Sequence, residues 1–181
     1  MTVWFTSDSH FGHERIIKLC RRPFASVEEM DEHLIERWNT FVQGGDTVYH
    51  LGDFAFAEHT QYLDRLRGHK HLILGNHDPS NRVRQANGWS SVNQLMHVTV
   101  AGQPLVLCHY AMRVWNRSSY GSIHLYGHSH GNLEGDAQSC DVGVDAWPLY
   151  NFAPLTLSDI KQRLATFPER EEPDHHQPRG T

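Results

Sequence analysis

Five short apolar runs in this chain are each followed, within a few residues, by side chains that can bind a metal ion. Apolar runs bounded by glycine or polar turn residues are typical of buried strands in an α/β sheet. The carboxyl ends of parallel strands meet at one edge of such a sheet, so the donors are predicted to converge there. The clusters are Asp8-Ser9-His10, Gly52-Asp53, Gly75-Asn76-His77-Asp78, Cys108-His109 and Gly127-His128-Ser129-His130.

Two of the clusters contain a pair of donors with the same spacing. Asp8 and His10 are two residues apart, and so are His128 and His130. Residues i and i+2 of an extended segment point to the same face. Each pair is therefore predicted to direct two ligands into one cavity.

The donor types and the preceding glycines also favour a metal centre. Carboxylate, carboxamide and imidazole groups suit transition ions such as Mn²⁺, Fe²⁺, Zn²⁺ or Co²⁺, and no thiolate is needed. Glycine adopts backbone conformations that other residues avoid. We therefore expect Gly52, Gly75 and Gly127 to turn the chain sharply just before a ligand.

Each donor taken alone has an ordinary structural explanation. The chain has 15 histidines, so a lone His109 would be a core or surface residue. Asp53 alone could be a turn residue, and Asn76 could cap a loop. The convergence of five clusters with complementary donors is what favours metal binding.

Together these motifs resemble the calcineurin-like metallophosphoesterase superfamily, and in particular its small single-domain bacterial and phage members. They span residues 8–130, and Gly-Asn-His-Asp and Gly-His-x-His are the most specific. The resemblance implies an α/β fold, a four-layer αββα sandwich of two mixed β-sheets flanked by helices. It also implies a role for each donor: Asp8, His10 and His130 would hold one metal ion, Asn76, His109 and His128 the second, and Asp53 would bridge both.

The remaining two residues of the third cluster are implied to be catalytic. His77 would act on the substrate, and Asp78 would orient His77. The cofactors would be two divalent transition-metal ions, of which we expect manganese, with iron, zinc, nickel or cobalt as alternatives.

The implied activity is that of a metal-dependent phosphoric ester hydrolase. A hydroxide bridging two metal ions would attack the phosphorus of a small phosphate ester, either a monoester or a diester, including nucleotides. The alternatives are a non-catalytic scaffold of the same fold that binds a protein partner, a nuclease, and a dinucleoside polyphosphate hydrolase. The net charge of −5 gives no sign of binding to long nucleic acid.

Substrate contacts are predicted in the segments beside the ligands. His13 follows the first cluster, while Arg113 and Asn116 follow His109. An arginine can bind a phosphate through two parallel hydrogen bonds. Because Arg113 is four residues after His109, we expect it to overhang the second metal ion.

Composition favours a single domain in a reducing compartment. The 181 residues are 39% hydrophobic, enough for one core, and no apolar run reaches the length of a membrane span. The three cysteines are widely spaced and odd in number. Met1 leads directly into a strand-like run, so we expect no signal peptide and a cytoplasmic location.

Local patterns predict the remaining elements. We expect a helix capped by Ser26, with Glu29 as its capping-box partner and a buried face of Met30, Leu34, Trp38 and Phe41. We assign residues 1–167 to the metallophosphoesterase domain and residues 168–181 to a polar tail that we expect to be disordered. Further helices are predicted at 61–66, 81–87 and 158–167, the last capped by Ser158, and further strands at 92–100, 103–107 and 139–144.

Overall fold

Two mixed β-sheets form the centre of the fold in the computed structural model, which describes residues 1–79, 83 and 86–170. The described residues form nine strands: β1 (Val3–Thr6), β2 (Thr47–His50), β3 (His69–Ile73), β4 (Trp89–Asn93), β5 (Leu95–Val100), β6 (Gln103–Cys108), β7 (Ile123–Tyr126), β8 (Ser139–Asp141) and β9 (Leu155–Thr156). The helices of the same residues are α1 (Glu14–Leu19), α2 (Val27–Phe41), α3 (His59–Leu63) and α4 (Leu157–Leu164).

The two sheets have related topologies. The first has the spatial order β4-β3-β2-β1-β9, in which β4 to β1 are parallel and β9 pairs antiparallel with β1. The second has the order β5-β6-β7-β8, with an antiparallel β5–β6 pair and parallel β6, β7 and β8. The predicted architecture of two mixed sheets flanked by helices is confirmed.

Apolar side chains fill the space on both faces of the first sheet. Met30 of α2 and Leu72 of β3 belong to a cluster that joins this sheet to α1, α2 and α3. Phe5 of β1, Leu125 of β7 and Ile160 of α4 belong to a second cluster, which joins the two sheets and α4. Because successive side chains of a strand point to opposite faces, β1 can serve both clusters.

Helix α2 begins where the sequence predicts. The Ser26 hydroxyl oxygen accepts a hydrogen bond from the Glu29 N–H at 3.2 Å. The Glu29 carboxylate accepts from the N–H of Ala25 at 2.7 Å, one residue earlier than in a standard capping box. Of the four residues predicted to be buried, three are, but Phe41 is 39% exposed because it lies in the last turn.

Three other predicted elements have different bounds in the structure. The segment 92–100 is not one strand: β4 ends at Asn93, β5 begins at Leu95, and the two belong to different sheets. The helix predicted at 61–66 is α3, which begins two residues earlier at His59 and ends at Leu63. The strand predicted at 139–144 ends at Asp141, whose side chain accepts from the Gly143 N–H and turns the chain.

The last predicted helix has a different cap from the one assigned to it. Helix α4 is capped by Thr156, not by Ser158. The Thr156 hydroxyl oxygen accepts from the Asp159 N–H at 3.2 Å, and the Asp159 carboxylate accepts from the Thr156 N–H at 2.8 Å. The prediction was wrong because Leu157, which looks like part of a strand, is already helical.

Two predictions reach beyond the described residues. The helix at 81–87 lies mostly outside them, as does the part of the tail at 171–181. The first tail residues are described and lie against the domain. The Pro168 carbonyl accepts from the Ala137 N–H at 2.9 Å, and the Arg170 guanidinium carbon lies 3.7 Å from the centre of the Trp115 ring. Within the described ranges, no helix is long and apolar enough to cross a membrane.

The cap of α4 can be tested by two matched substitutions. Thr156→Ala removes the hydroxyl that satisfies the Asp159 N–H, and we expect it to lower the free energy of unfolding by about 1 kcal/mol. Ser158→Ala alters an exposed residue of the first turn and is expected to change it by less than about 0.5 kcal/mol. Urea unfolding followed by circular dichroism measures both, and equal losses would contradict the assigned cap.

Candidate metal centre

All five donor clusters lie at one edge of the fold, where the carboxyl ends of β1, β2 and β3 meet those of β6 and β7. Backbone hydrogen bonds join the elements at this edge. The Asp8 N–H donates to the Gly52 carbonyl at 2.9 Å, which links the segments after β1 and β2. A bridge between Ser7 and Gly143 continues β1 alongside the end of β8 and so connects the two sheets.

The first donor set contains Asp8, His10 and His130, with candidate ligand atoms all within 4.8 Å of one another. The Nε2 atoms of His10 and His130 lie 3.9 and 4.0 Å from Oδ1 of Asp8. Asp8 is fully buried. These distances are too long for hydrogen bonds and leave room for an ion between the atoms.

The second donor set contains Asp53, His109 and His128, again within 4.8 Å. His109 Nε2 lies 3.6 Å from Oδ2 of Asp53 and 3.1 Å from Oδ1 of Asn76. The same Oδ2 of Asp53 lies 3.7 Å from His10 Nε2 of the first set. Asp53 is thus between the two sets, where a bridging ligand would have to be.

The protonation state of these groups fits a pair of cations. His109 Nδ1 lies 2.7 Å from the Leu51 carbonyl, so Nδ1 carries the proton and the lone pair of Nε2 faces Asp53 and Asn76. Both ring nitrogens of buried His10 have no hydrogen-bond partner. The lone pair of His109 Nε2 and the Asp53 carboxylate converge at 3.6 Å, and a divalent cation between them would satisfy both.

Burial makes this centre electrostatically unfavourable for the protein alone. Desolvation raises the pKa of the Asp8 carboxyl well above its usual value. Desolvation, with a smaller effect of the Arg22 charge, lowers the pKa of His10 to about 2. The first shift disfavours an ionised Asp8 unless a cation is bound, and the second keeps His10 neutral, as a metal ligand has to be.

The ligand-bearing segments are turns, so the extended geometry predicted for the two donor pairs is wrong. In an extended strand φ is negative, but here the ligands have left-handed φ values. Asp, Asn and His adopt this conformation more readily than most residues. The residues are Asp8 (57°), His10 (52°), Asp53 (55°), His128 (67°) and His130 (47°).

The glycines before the ligands serve two different purposes. Gly52 has φ of 102°, as expected for a sharp turn. Gly75 and Gly127 do not have positive φ, so that explanation is wrong for them. They are needed for close approach, since a Cβ at Gly75 would overlap the Asp53 carboxylate and a Cβ at Gly127 would overlap the Ser7 hydroxyl.

Asp78 makes backbone hydrogen bonds that the sequence analysis did not predict, and its orientation of His77 stays a prediction. Its buried carboxylate accepts from the N–H groups of Asp53 at 2.7 Å, Phe54 at 3.0 Å and Gly75 at 2.9 Å. Among the described residues, the Asp78 carboxylate makes no hydrogen bond to the His77 ring. Asp78 therefore joins the turn at Asp53 to the turn at Gly75. It thereby holds Asp53 in position between the two donor sets.

His77 lies at the surface beside the two donor sets, and its action on substrate stays a prediction. It is exposed, and its N–H donates to Oδ1 of Asp53 at 2.8 Å. Its ring centre lies 4.8 Å from that of Phe56, which in turn stacks on His13 at 3.8 Å. His13 is thus near the centre, with its ring 5.5 Å from that of His10.

Two exposed aromatic residues were missed by the sequence analysis. Phe56 is 40% exposed and lies beside His77, and Tyr110 is 47% exposed with its ring 4.9 Å from that of His128. They flank the two donor sets on opposite sides. Their positions three residues after Asp53 and one after His109 could have indicated them.

Asn116 lies away from the donor sets, and the predicted substrate contact of Arg113 stays a prediction. The segment after His109 turns back along β7, where the Met112 N–H donates to His124 Nε2 at 3.1 Å. Asn116 accepts from the Ser122 hydroxyl at the start of β7, the opposite end of the strand from His128. Arg113 is exposed, and its carbonyl accepts a hydrogen bond from the Arg170 guanidinium at 2.7 Å. The position of Asn116 does not favour a substrate contact.

An ion pair behind His130 was also missed. Asp145 Oδ2 lies 2.7 Å from His130 Nδ1, and the Arg22 guanidinium donates to both Asp145 oxygens at 2.9 and 2.8 Å. The fully buried Arg22 side chain also donates to the carbonyls of Asp8 and Ser9. Burial alone would lower the pKa of His130, but hydrogen bonds with the Asp145 carboxylate and the Cys20 sulfur, together with the charge of Asp8, raise it to about 10. This arrangement holds Nδ1 protonated and directs Nε2 towards Asp8.

The ion pair behind His130 predicts a selective effect on one metal site. Asp145→Asn keeps the shape of the side chain but weakens the orientation of His130. We expect the affinity of the first donor set for a divalent ion to fall on the order of tenfold to a hundredfold, with the second set little affected. Titration calorimetry with Mn²⁺ on metal-free protein measures both affinities.

The matched control for Asp145→Asn is Glu32→Gln, which breaks the exposed ion pair with Arg65. Exposed pairs contribute little, so both metal affinities should stay as in the wild type. Equal weakening of both donor sets by Asp145→Asn would show that Asp145 supports the fold and not His130.

Comparison with known proteins finds a family profile and relatives that match most of this chain. The sequence profile of the Calcineurin-like phosphoesterase superfamily domain matches residues 1–142. The uncharacterized protein MJ1445 of Methanocaldococcus jannaschii is 31% identical over 173 residues, which cover 87% of this chain and 88% of that protein. The Gene 66 protein of Mycobacterium phage D29 is 32% identical, over 90% of this chain and 98% of that protein.

A solved structure has the same fold. The protein of unknown function AQ665 from Aquifex aeolicus matches with a TM-score of 0.70 and 24% identity, over 90% of this chain and 98% of that chain. At that identity the likeness concerns the fold alone.

Proposed function

This chain belongs to the calcineurin-like phosphoesterase superfamily, and from that premise we propose that it is a metal-dependent hydrolase of small phosphate esters. The observation that carries the proposal is the pair of donor sets with Asp53 between them and exposed His77 beside them. Two adjacent divalent ions can stabilise the attacking and leaving oxygens of a phosphoryl transfer to water, and a histidine beside them can donate a proton.

The ligands are assigned as the resemblance implies. Asp8, His10 and His130 would hold one ion, Asn76, His109 and His128 the other, and Asp53 both. When bound, the ions would supply Lewis-acid activation of the phosphate ester and of water. Manganese remains our expectation for their identity.

The charge of the centre favours an anionic substrate. Asp8 and Asp53 are the two carboxylates among the ligands, so their charge offsets only half of that of two divalent ions. The net positive charge attracts a phosphate group, whereas a site made only of carboxylates would cancel this attraction. Because His77 and His128 are exposed, the phosphate of a small ester can reach the centre directly from solvent.

His77 is proposed to act on the phosphate group. Its N–H bond to Asp53 fixes the backbone, which leaves the imidazole free to donate a proton or hydrogen bond to an oxygen of the ester. Phe56 packs beside the ring and restricts its orientation.

Asp53 gives the first test of this assignment. Asp53→Asn removes the charge that both donor sets share, so we expect both metal affinities to fall together, each on the order of tenfold or more. Elemental analysis and calorimetric titration of reconstituted protein measure the stoichiometry and the affinities. The exposed Asp64→Asn is the matched control. A wild-type protein that binds one ion or none would contradict the two-ion centre.

His77 gives the second test, which separates binding from chemistry. His77→Ala should lower kcat by about 10²–10⁴-fold and leave both ions in place, because His77 acts on the ester and not on the metals. The exposed His97→Ala on β5 is the matched control and should keep the wild-type kcat. Loss of the metals in His77→Ala would make it a ligand instead.

The substrate panel for these assays decides between the alternatives. It contains para-nitrophenyl phosphate, its bis ester, nucleotides, a dinucleoside polyphosphate and single-stranded DNA, each with Mn²⁺, Ni²⁺, Zn²⁺ and Mg²⁺. Hydrolysis of the small esters supports the proposal. A protein that binds both ions and hydrolyses nothing in the panel would favour the scaffold alternative.

A further inference from the structure

A cavity of about 610 Å³ lies beside the metal centre, on the far side of His130. The two sites share the His130 ring, whose Nε2 faces Asp8 at 4.0 Å while Nδ1 faces Asp145 at 2.7 Å on the cavity side. A volume of this size is typical of a site for a small organic ligand. A phosphate ester at the metal centre could therefore extend its organic group past His130 into the cavity.

The backbone around this cavity is strained in a way that the metal centre does not require. Arg21, Asn151 and Phe152 all line the cavity, and all have left-handed φ values, of 53°, 49° and 65°. Non-glycine residues in this conformation cluster at binding sites, where the side chain is retained for its contacts.

Arg21 is the clearest of the three. At the end of α1 the Arg22 N–H bonds to the Ile17 carbonyl at 2.8 Å and the Arg21 N–H bonds to the Lys18 carbonyl at 3.4 Å. This is the hydrogen-bond pattern of a Schellman motif, whose left-handed position is normally glycine. An arginine there weakens the helix end, and its exposed side chain stands at the cavity.

The lining combines flat apolar walls with donors and acceptors. Pro148 and the half-buried Phe152 ring supply the apolar surface, and Phe24 packs against that ring at 5.2 Å between centres. The Asn132 amide nitrogen donates to the Ser129 carbonyl at 3.1 Å, which leaves its side-chain oxygen as an acceptor for a ligand. Asn151 Oδ1 lies 3.2 Å from His33 Nε2, which leaves its amide nitrogen as a donor. Asparagine and arginine are the side chains that pair with the edges of nucleobases, and aromatic or apolar walls stack on their faces.

The charge of the cavity also suits a nucleotide. Asp145 is the carboxylate of the lining, and both its oxygens are bound by Arg22. The negative charge of Asp145 is thus neutralised by Arg22, whereas the exposed Arg21 guanidinium can bind a ligand.

We propose that this cavity binds the nucleoside part of a nucleotide whose phosphate lies at the metal centre. The inference rests on the proposed phosphoesterase function and specifies its substrate class. Arg21 and Asn151 bind the base or sugar, Phe152 and Pro148 hold its face, and His130 lies where the nucleoside joins the phosphate.

The test compares two chromogenic diesters with the same leaving group. One is the para-nitrophenyl ester of thymidine 5′-monophosphate, and the other is methyl para-nitrophenyl phosphate, which has no nucleoside. Arg21→Gly removes the guanidinium and also relieves the left-handed backbone. We expect kcat/KM for the thymidine ester to fall relative to the methyl ester on the order of tenfold, through KM, while the melting temperature stays equal or rises.

The matched control is Arg117→Gly. Arg117 is also an exposed arginine with a left-handed φ, of 62°. It does not line the cavity, and its carbonyl accepts from the Ser122 N–H just before β7. Arg117→Gly should leave the preference between the two esters as in the wild type. If Arg21→Gly kept the wild-type preference between the two esters, or lowered kcat/KM equally for both, the proposed nucleoside site would be wrong.

A separate binding measurement distinguishes failure of the cavity from failure of the phosphoesterase function. If the wild type hydrolyses neither ester with any of the four metals, the hydrolase proposal fails. Calorimetric titration of metal-free protein with thymidine 5′-monophosphate then tests the cavity alone. The nucleoside site is supported if the wild type binds the nucleotide and Arg21→Gly weakens this binding on the order of tenfold. It is overturned if the wild type does not bind the nucleotide.

Discussion

Two carboxylates buried side by side are the constraint on which this structure depends. Asp8 and Asp53 lie where the two sheets meet, and a buried carboxylate is tolerated only when its charge is balanced. Each accepts a backbone hydrogen bond, Asp8 from His128 and Asp53 from His77, and imidazoles surround both. Balancing the remaining charge is the reason to expect cations at this edge.

The surrounding residues orient the donors before any ion arrives. The Leu51 carbonyl fixes the ring of His109, Asp145 fixes that of His130, and Asp78 ties together the turns on either side of Asp53. These partners come from different strands and loops of both sheets. The packing of the core therefore holds the donor side chains close to one arrangement. Both a bound ion and a reacting phosphate need such an arrangement.

The sequence predicted the parts of the molecule that depend on local chemistry. Apolar runs followed by donors predicted which strands carry ligands, because burial and side-chain type are properties of the residues themselves. It did not predict the left-handed turns at Asp8 or His130, since spacing alone cannot distinguish a turn from a strand end. The capping role of Thr156 was missed for a similar reason, because β9 and α4 are continuous in the chain.

The contacts that the sequence did not predict join distant segments. Asp78 follows His77 in sequence, yet its carboxylate reaches the turn after β2. Asn116 follows a ligand by seven residues, yet the chain has reversed direction by then. Arg22 and Asp145 are 123 residues apart, so their pairing behind His130 has no local signature. Such partners follow from the packing of the sheets, which the motifs do not encode.

The left-handed backbone at five of the seven proposed ligands lowers the stability of the folded state. Each such residue costs roughly 1 kcal/mol, so the five together cost about 5 kcal/mol. The net stability of a whole domain is only about 5–15 kcal/mol. An ion that binds the folded chain alone adds stability that rises with the logarithm of its free concentration. Metal supply would then set how much of this protein persists against proteolysis, in addition to how fast it works.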